Sequence, residues 1–497
     1  MTSTFHGIEI GKRALFAQQT ALSTTGQNVS NANTIGYTRQ RSEMQADYSI
    51  SLPGANGNNM QLGTGVVVNK IVRLREDYLD VQYRGENKNL GYWDAKSDTL
   101  SKIEGILNEP SDTGLASTMD QFWSSWQELS KNPDSAAARG VVRQRGVAVA
   151  ETFHYLSDSL DQMKDDTLHV IDTKVKSVND IVDQIGNLNK QISSLVANNY
   201  QPNDLYDQRD VLIDNLSKMV NVSVTNHTNG IVDVAIGTDF LVKGTDVNKL
   251  EGFDLSNGLK DPANITLNGN SLQLASGELK GRIESYQKII PEMQNKIDTL
   301  AKTFADKING IHNTGYHLEN NGAVAGSVDF FTGISKPDPS DPNSRVISDT
   351  NITAKNFEVN FEIMNSLDKI AASQEAVTGN GKNAQAIADL KFSVVDFKED
   401  STDSSKTTST STIDDFYRNI IGQLGIDSQE AQRMQENSDV IVNQIDNRRQ
   451  SVSGVSLDEE MANMIKYQQA YNAAARMITT MDQCLDKIIN GMGRVGL

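Results

Sequence analysis

The sequence predicts a mainly α protein with β elements, and three observations carry that reading. Both ends of the 497-residue chain step their apolar residues at heptad intervals. Two interior stretches, about 88–200 and 277–311, repeat apolar residues every three or four positions. Between them, VNVSVTNHTNGIVDVAIGTDFLVKG (220–244) alternates apolar and polar residues around Asn229–Gly230, the pattern of a β-hairpin. The expected architecture is a terminal α-helical coiled-coil stalk, a long helical-bundle domain with a β-hairpin portion, and an inserted surface domain.

The amino end reads as a helix in which Ile8, Leu15, Leu22 and Val29 recur every seven residues, with Gly11, Gln18 and Thr25 between them. NVSNANTIGY (28–37) ends it, because Asn and Gly accept left-handed backbone at little cost. GTGVVVNKIVRL (63–74) reads as a strand. Val178, Ile181, Ile185, Leu188, Ile192 and Leu195 then step 3-4-3-4-3, sustained coiled-coil spacing. DLYDQRDVLIDNLS (204–217) continues as a short helix, and short strands run on to about 276. In the helix over 277–311, Pro291 predicts a kink unless its missing donor falls at a bend. Helical pattern resumes over 413–450, SVSG (451–454) breaks it, and a last helix spans about 456–490. Its predicted seam is Leu457, Met461, Met464, Gln468, Tyr471, Ala475 and Ile478, then a local slip through Met481, Leu485 and Ile488.

These elements suggest three units: paired terminal helices from 1–60 and 455–497; a helical middle domain from 61–325 and 413–454, with its β-hairpin region at about 218–276; and an insertion at 326–412. PDPSDPN (337–343) and the Ser/Thr-rich STDSSKTTSTST (401–412) punctuate that insertion. Residues 326–415 carry 15 acidic and 8 basic side chains, which marks the insertion as acidic and surface-exposed. Neither terminal seam is wide enough to bury itself alone, so the two ends are expected to pair and leave further sides for other copies.

Composition narrows function. A net charge of −18 argues against general nucleic-acid binding. No apolar run approaches the about 18–20 residues of a membrane helix, so membrane insertion is not expected. The first 30 residues hold no continuous apolar segment, so no cleavable secretory signal is expected. The single cysteine, Cys484, excludes an intrachain disulfide framework and reads as a buried small hydrophobe in the last helix. Asp204, Asp207, Asp210 and Asp214 share a helix face, which reads as solvated and partly balanced by Arg209 and Lys218 rather than as a metal or acid–base site. His312 and His317 read as surface or satisfied polar residues, and no histidine stands at a zinc-ligand spacing. Trp123 and Trp126, with Phe122, read as domain core. Phosphate-binding glycine motifs are absent, so neither catalytic residues nor a cofactor are expected.

QQTALSTTGQNVSNANTIGYTRQR (18–41) and SGVSLDEEMANMIKYQQAYNAAARMITTMDQCLDKIIN (453–490) resemble the two terminal signatures of bacterial flagellar rod, hook and junction axial proteins. DLYDQRDVLIDNLSKMVNVSV (204–224), GTDFLVKG (237–244) and LAKTFADKINGIHNTGY (300–316) resemble the interior of the hook-associated protein 1 family. The resemblance implies a tubular-assembly subunit between hook and filament, exported by the flagellar type III route without a cleaved signal. It implies four kinds of partner: further copies of the chain, the hook protein, a second junction protein of the hook-associated protein 3 type, and a cytoplasmic export chaperone on the last helix. With it, Asn28, Asn31, Asn33, Gly36 and Tyr37 are expected to shape the bend after the first helix. The expected assembly interface comprises Ile8, Leu15, Leu22, Val29, Asn31, Asn33, Gly36 and Tyr37, with Leu457, Met461, Met464, Tyr471, Ile478, Leu485 and Ile488. Two other classes stand against this: an enzyme on the insertion, which would lack His and Cys there, and an adhesin or interaction module on the same segment.

Overall fold

The structure, a computed structural model, describes residues 5–491 except 54–58, 254, 256–257, 259–260, 263–264, 273, 320–321, 326–327, 339–340, 349–350 and 398–408. Part of PDPSDPN and most of the Ser/Thr-rich stretch therefore lie outside the described residues. Helix α1 (His6–Ser30) leads into an antiparallel ribbon of Gln40–Ala46 on Val66–Arg73. The long helical run divides into α2 (Asp77–Leu107), α3 (Leu115–Lys131) and α4 (Ala136–Ala197). Left-handed Asn108 (φ 47°) ends α2, and Ser135 caps α4 by accepting from the Ala138 N–H at 3.3 Å. The 62 residues of α4 make a rod about 93 Å long at about 1.5 Å per residue.

Helix α5 (Asn203–Met219) precedes the predicted hairpin, in which Val222–Asn226 pairs antiparallel with Val232–Ile236 and Gly230 takes φ 80° at the turn. Two more strands, Asp239–Lys243 and Asp246–Val247, complete a four-stranded sheet. Helix α6 (Glu278–Glu284), a π turn (Ser285–Ile289) and α7 (Ile290–His312) follow one another without a break in the chain. The π turn lies immediately before Pro291. A widened turn frees the ring from the carbonyl four residues back, so strain resolves there. Short helices α8 (Phe361–Asn365) and α9 (Lys382–Asp389) precede the long α10 (Ile413–Ser453) and α11 (Leu457–Gly491).

Two hydrophobic clusters organise the body. In the larger, Phe122 and Trp126 of α3, Phe153 of α4 and Phe304 of α7 pack with Phe330, Phe331 and Phe357. The smaller sets the second half of α4 and α5 against the four-stranded sheet. The coiled-coil spacing at 178–195 is thus answered by a sheet and the short helix α5 rather than by a long coiled-coil partner. Val178, Ile185 and Ile192 are fully buried there, while Leu195 is 36% exposed.

The insertion does not stand apart from the helices. Phe357, Ile363, Ile370, Ala384 and Ile387 belong to the larger cluster with α3, α4 and α7. Buried Arg139 of α4 donates to the carbonyls of Leu367 (3.2 Å) and Ile370 (2.6 Å), pinning the same segment. A count of charges over 326–415 registers its exposed acids and misses these apolar positions, so the expectation of a separate surface module is corrected for the described residues.

Candidate assembly interface

The two termini pair. Helices α1 and α11 run antiparallel, with Gly7 against Met481, Gly11 against Ile478 and Ala474, and Asn28 against Glu460. On α1 the buried or half-buried face is Gly7, Gly11, Ala14, Gln18, Ala21, Thr25 and Asn28, stepping 4-3-4-3-4-3. On α11 it is Glu460, Met464, Tyr467, Tyr471, Ala474, Ile478, Met481 and Leu485, stepping 4-3-4-3-4-3-4 with no slip. A Cβ on Gly11 would stand 2.6 Å from Ile478 Cγ1, so glycine is what permits this approach.

The contact line within this pair overlaps the expected seams in part. Ile8, Leu15, Leu22 and Val29 are only half-buried, and the buried line is the set of small residues between them. Helix partners this close select small side chains, which hydropathy undervalues. Met464, Tyr471, Ile478 and Leu485 do face the pair, whereas Leu457, Met461 and Ile488 are 50%, 54% and 49% exposed. Cys484 is exposed, which corrects its expected burial.

At the foot of the pair sits a buried polar knot. The Asn28 amide donates to Gln40 O (2.8 Å) and Glu460 Oε2 (3.0 Å), and its oxygen accepts from Tyr37 Oη (2.8 Å) and the Gln40 N–H (3.0 Å). That uses the whole hydrogen-bonding capacity of the side chain. Glu460, only 2% exposed, also takes Arg39 Nε at 2.8 Å. Burial, then Asp207, Asp204 and Glu460, pushes the Tyr37 phenol well up and keeps it a donor. Asn31 closes α1 through its amide on Gln27 O (3.0 Å), whereas Asn33 is exposed. Gly36 takes φ 80°, and a Cβ there would collide with Val211 Cγ2 of α5 at 2.1 Å. Ile35 beside it is 91% exposed.

Below the knot, Asp207, Asp210 and Asp214 of α5 enter an ion-pair lattice rather than a solvated face, whereas Asp204 stays exposed as expected. Arg73 reaches Asp207 and Asp210, both at 2.8 Å, while Arg75 grips Asp80 at 2.6 and 2.9 Å and reaches Asp210 at 3.2 Å. Arg84 pairs with Asp214 at 2.7 Å, and Arg449, from the end of α10, reaches Asp214 at 2.5 Å and Asp80 at 3.5 Å. Asp207 further accepts the Thr38 N–H at 3.0 Å. The facing arginines outweigh desolvation and hold the Asp210 carboxyl below its ordinary range. Arginines distant in sequence supply this balance, so spacing within α5 could not reveal it. Elsewhere His312 is fully buried, hydrogen-bonded through Nδ1 to Val328 O (2.7 Å) and accepting the Ala371 N–H on Nε2 (2.9 Å). His317 is also buried. Among the described residues no group of three or more His, Cys, Asp or Glu could hold a metal ion. No described helix is long and apolar enough to cross a membrane.

Two paired terminal helices on an elongated helical body define a structural subunit, and the terminal segments say of what kind. Residues 8–38 match the family described as "Flagella basal body rod protein", and 448–491 match "Flagellar basal body rod FlgEFG protein C-terminal". The chain is a flagellar axial protein. Residues 100–331 match the "Flagellar hook-associated protein FlgK helical domain". The chain is 40% identical to flagellar hook-associated protein 1 of Bacillus subtilis over 99% of both chains, and 26% identical to that of Salmonella typhimurium over 96% of this chain and 98% of the relative. It therefore belongs to the flagellar hook-associated protein 1 family, structural components of the exterior of the bacterial flagellum. In fold it is similar to the flagellar hook junction protein FlgK from Burkholderia pseudomallei, with TM-score 0.56 and 14% identity over 76% of this chain and 100% of that one.

Proposed function

We propose that this chain forms the junction between hook and filament by self-assembly through its terminal helices. The observation that carries the reading is the apolar surface that the pair leaves uncovered. Met461 and Ile465 are 54% and 60% exposed on α11, and Phe16 of α1 is 59% exposed. Among the described residues, neither hydrophobic cluster takes a side chain from α1 or α11. The ribbon covers part of α1 but not these apolar residues, and neighbouring copies supply the missing cover. The hook protein would meet one end of such a ring and a second junction protein of the hook-associated protein 3 type the other. Before export by the type III route, a cytoplasmic chaperone would grip α11, whose anchors repeat by three and four. No step makes or breaks a covalent bond.

Met461→Ser with Ile465→Ser tests the reading. Both side chains are exposed and outside the α1 seam, so the monomer keeps its fold and melting temperature. Junctions viewed by electron microscopy in cells carrying only this variant should be missing or unstable. Normal junctions and normal swimming would refute the assembly surface.

A further inference from the structure

Beside the lattice, the end of the ribbon, α2, α5 and the hairpin enclose a cavity of about 280 Å³ that takes no described residue from α1 or α11. Four guanidinium groups, those of Arg73, Arg75, Arg84 and Arg209, face three carboxylates, Asp77, Asp80 and Asp210, which leaves one positive charge on the wall of a chain that carries −18. The donors are unevenly used. Arg75 spends Nε and Nη2 on Asp80 and Nη1 on Asp210. Arg209, 4% exposed, gives Nη1 to Asn189 Oδ1 (2.9 Å) and Gly230 O (2.8 Å), while its buried Nε has no hydrogen-bond partner. Arg84, also buried, gives Nε to Asp214, but its Nη2 stands unpartnered 3.6 Å from Asp210 Oδ1, too far for a hydrogen bond. The Tyr206 ring centre lies 4.9 Å from Arg73 Cζ and 5.2 Å from Arg209 Cζ, so cation–π contact holds both groups without spending an N–H. Buried donors left unpaired are rare in folded proteins and mark a place for a bound ion or water.

We propose that this cavity binds a small oxyanion of the phosphate class, with Arg84 and Arg209 supplying the donors that no carboxylate of the chain takes up. The arginines reach the cavity from different elements: Arg73 from the ribbon, Arg84 from α2 and Arg209 from α5. A tetrahedral ion offers acceptors to all three directions, whereas a planar carboxylate takes its fork of donors from one side. Its negative charge offsets the positive charge of the wall. Burial, with Arg73 and Arg84 acting in the same direction against Asp210, pulls the Arg209 guanidinium down to about 10, as befits a cation short of counter-charge. The bound anion is a structural ligand that bridges the ribbon, α2 and α5 at the base of the hairpin.

The test uses the full chain and inorganic phosphate, at constant ionic strength, with chloride and acetate as comparison anions. Phosphorus-31 resonance of the added phosphate should broaden on mixing with the protein and report one saturable site. Phosphate should also raise the melting temperature saturably, and chloride and acetate should not. Asn226→Asp sets a carboxylate at an exposed position of the cavity lining and removes no arginine, so the fold is kept. It should weaken phosphate binding about fivefold or more by like-charge repulsion. Arg84→Lys keeps the charge, loses the unpartnered Nη2 and should weaken binding as well. Absence of saturable phosphate binding by the native chain overturns the proposal, as does unchanged affinity in Asn226→Asp. Equal stabilisation by chloride would reduce the effect to screening, and equal binding of acetate would remove the preference for a tetrahedral ion; either result also overturns it.

Discussion

Asn28 of α1 donates to the Glu460 carboxylate of α11 at 3.0 Å, across 432 residues of sequence. This one bond sets the register of the antiparallel pair, because the same amide is held to Gln40 and Tyr37 and has no freedom to slide. A polar group buried within a helix pair specifies register by the cost of every alternative that leaves it unpaired.

Asn28→Ala leaves the buried Glu460 carboxylate with Arg39 alone and removes the acceptor of the Tyr37 hydroxyl and the partner of the buried Gln40 N–H. The expected cost is about 3 kcal/mol, confined to the pair. Hydrogen exchange should accelerate across α11 while the amides of α3 and α4 keep their protection. Uniform acceleration throughout the chain would show that pair and body unfold together.

Gly11→Val places a Cβ within 2.6 Å of Ile478 Cγ1. Overpacking of this kind costs about 1–3 kcal/mol. Ile478→Ala should restore part of that loss, and a double-mutant cycle on the unfolding of α11 measures the coupling. Additive effects would place the two residues apart.

Phe357→Ala removes a fully buried ring from the larger cluster. A loss of about 3–5 kcal/mol in global stability is expected, read by urea denaturation with near-ultraviolet signals from Trp123 and Trp126. Deletion of 351–397 should for the same reason prevent folding, whereas a free-standing surface module could be removed without disturbing those tryptophans.

Acid should act in two windows. Burial depresses the His312 pKa to about 4, so the fold holds this imidazole neutral. An unfolded histidine takes its proton near pH 6.5, so stability falls as pH drops from about 6.5 towards 4, by on the order of 3 kcal/mol. The Asp210 carboxyl is also depressed, by its arginines, but its contribution persists above the unfolded aspartate value of about 3.9 and is lost only below it. Urea midpoints between pH 7 and 4.5 should therefore decline in the native chain and decline less steeply in His312→Asn, where His317, also held below its ordinary range by burial, accounts for the remaining slope. Equal slopes would assign the acid sensitivity to other groups.

The periodicity of the sequence determined which segments are helical and where the hairpin turns. Alternation around Asn229–Gly230 and heptads at both ends need no long-range information, since a residue's local spacing fixes the face it presents. The terminal signatures likewise identified the flagellar axial class. Tertiary structure alone decided what covers each face. Gly11 and Thr25 became the seam of α1 because the partner helix comes too close for the Leu15 and Leu22 stripe. Asp207, Asp210 and Asp214 became a lattice because Arg73, Arg75, Arg84 and Arg449 arrive from other segments. Phe357 and Ile363 became core because α3, α4 and α7 leave a gap that they fill. Charge and hydropathy are properties of a residue, but burial and pairing belong to the set of residues that folding brings together.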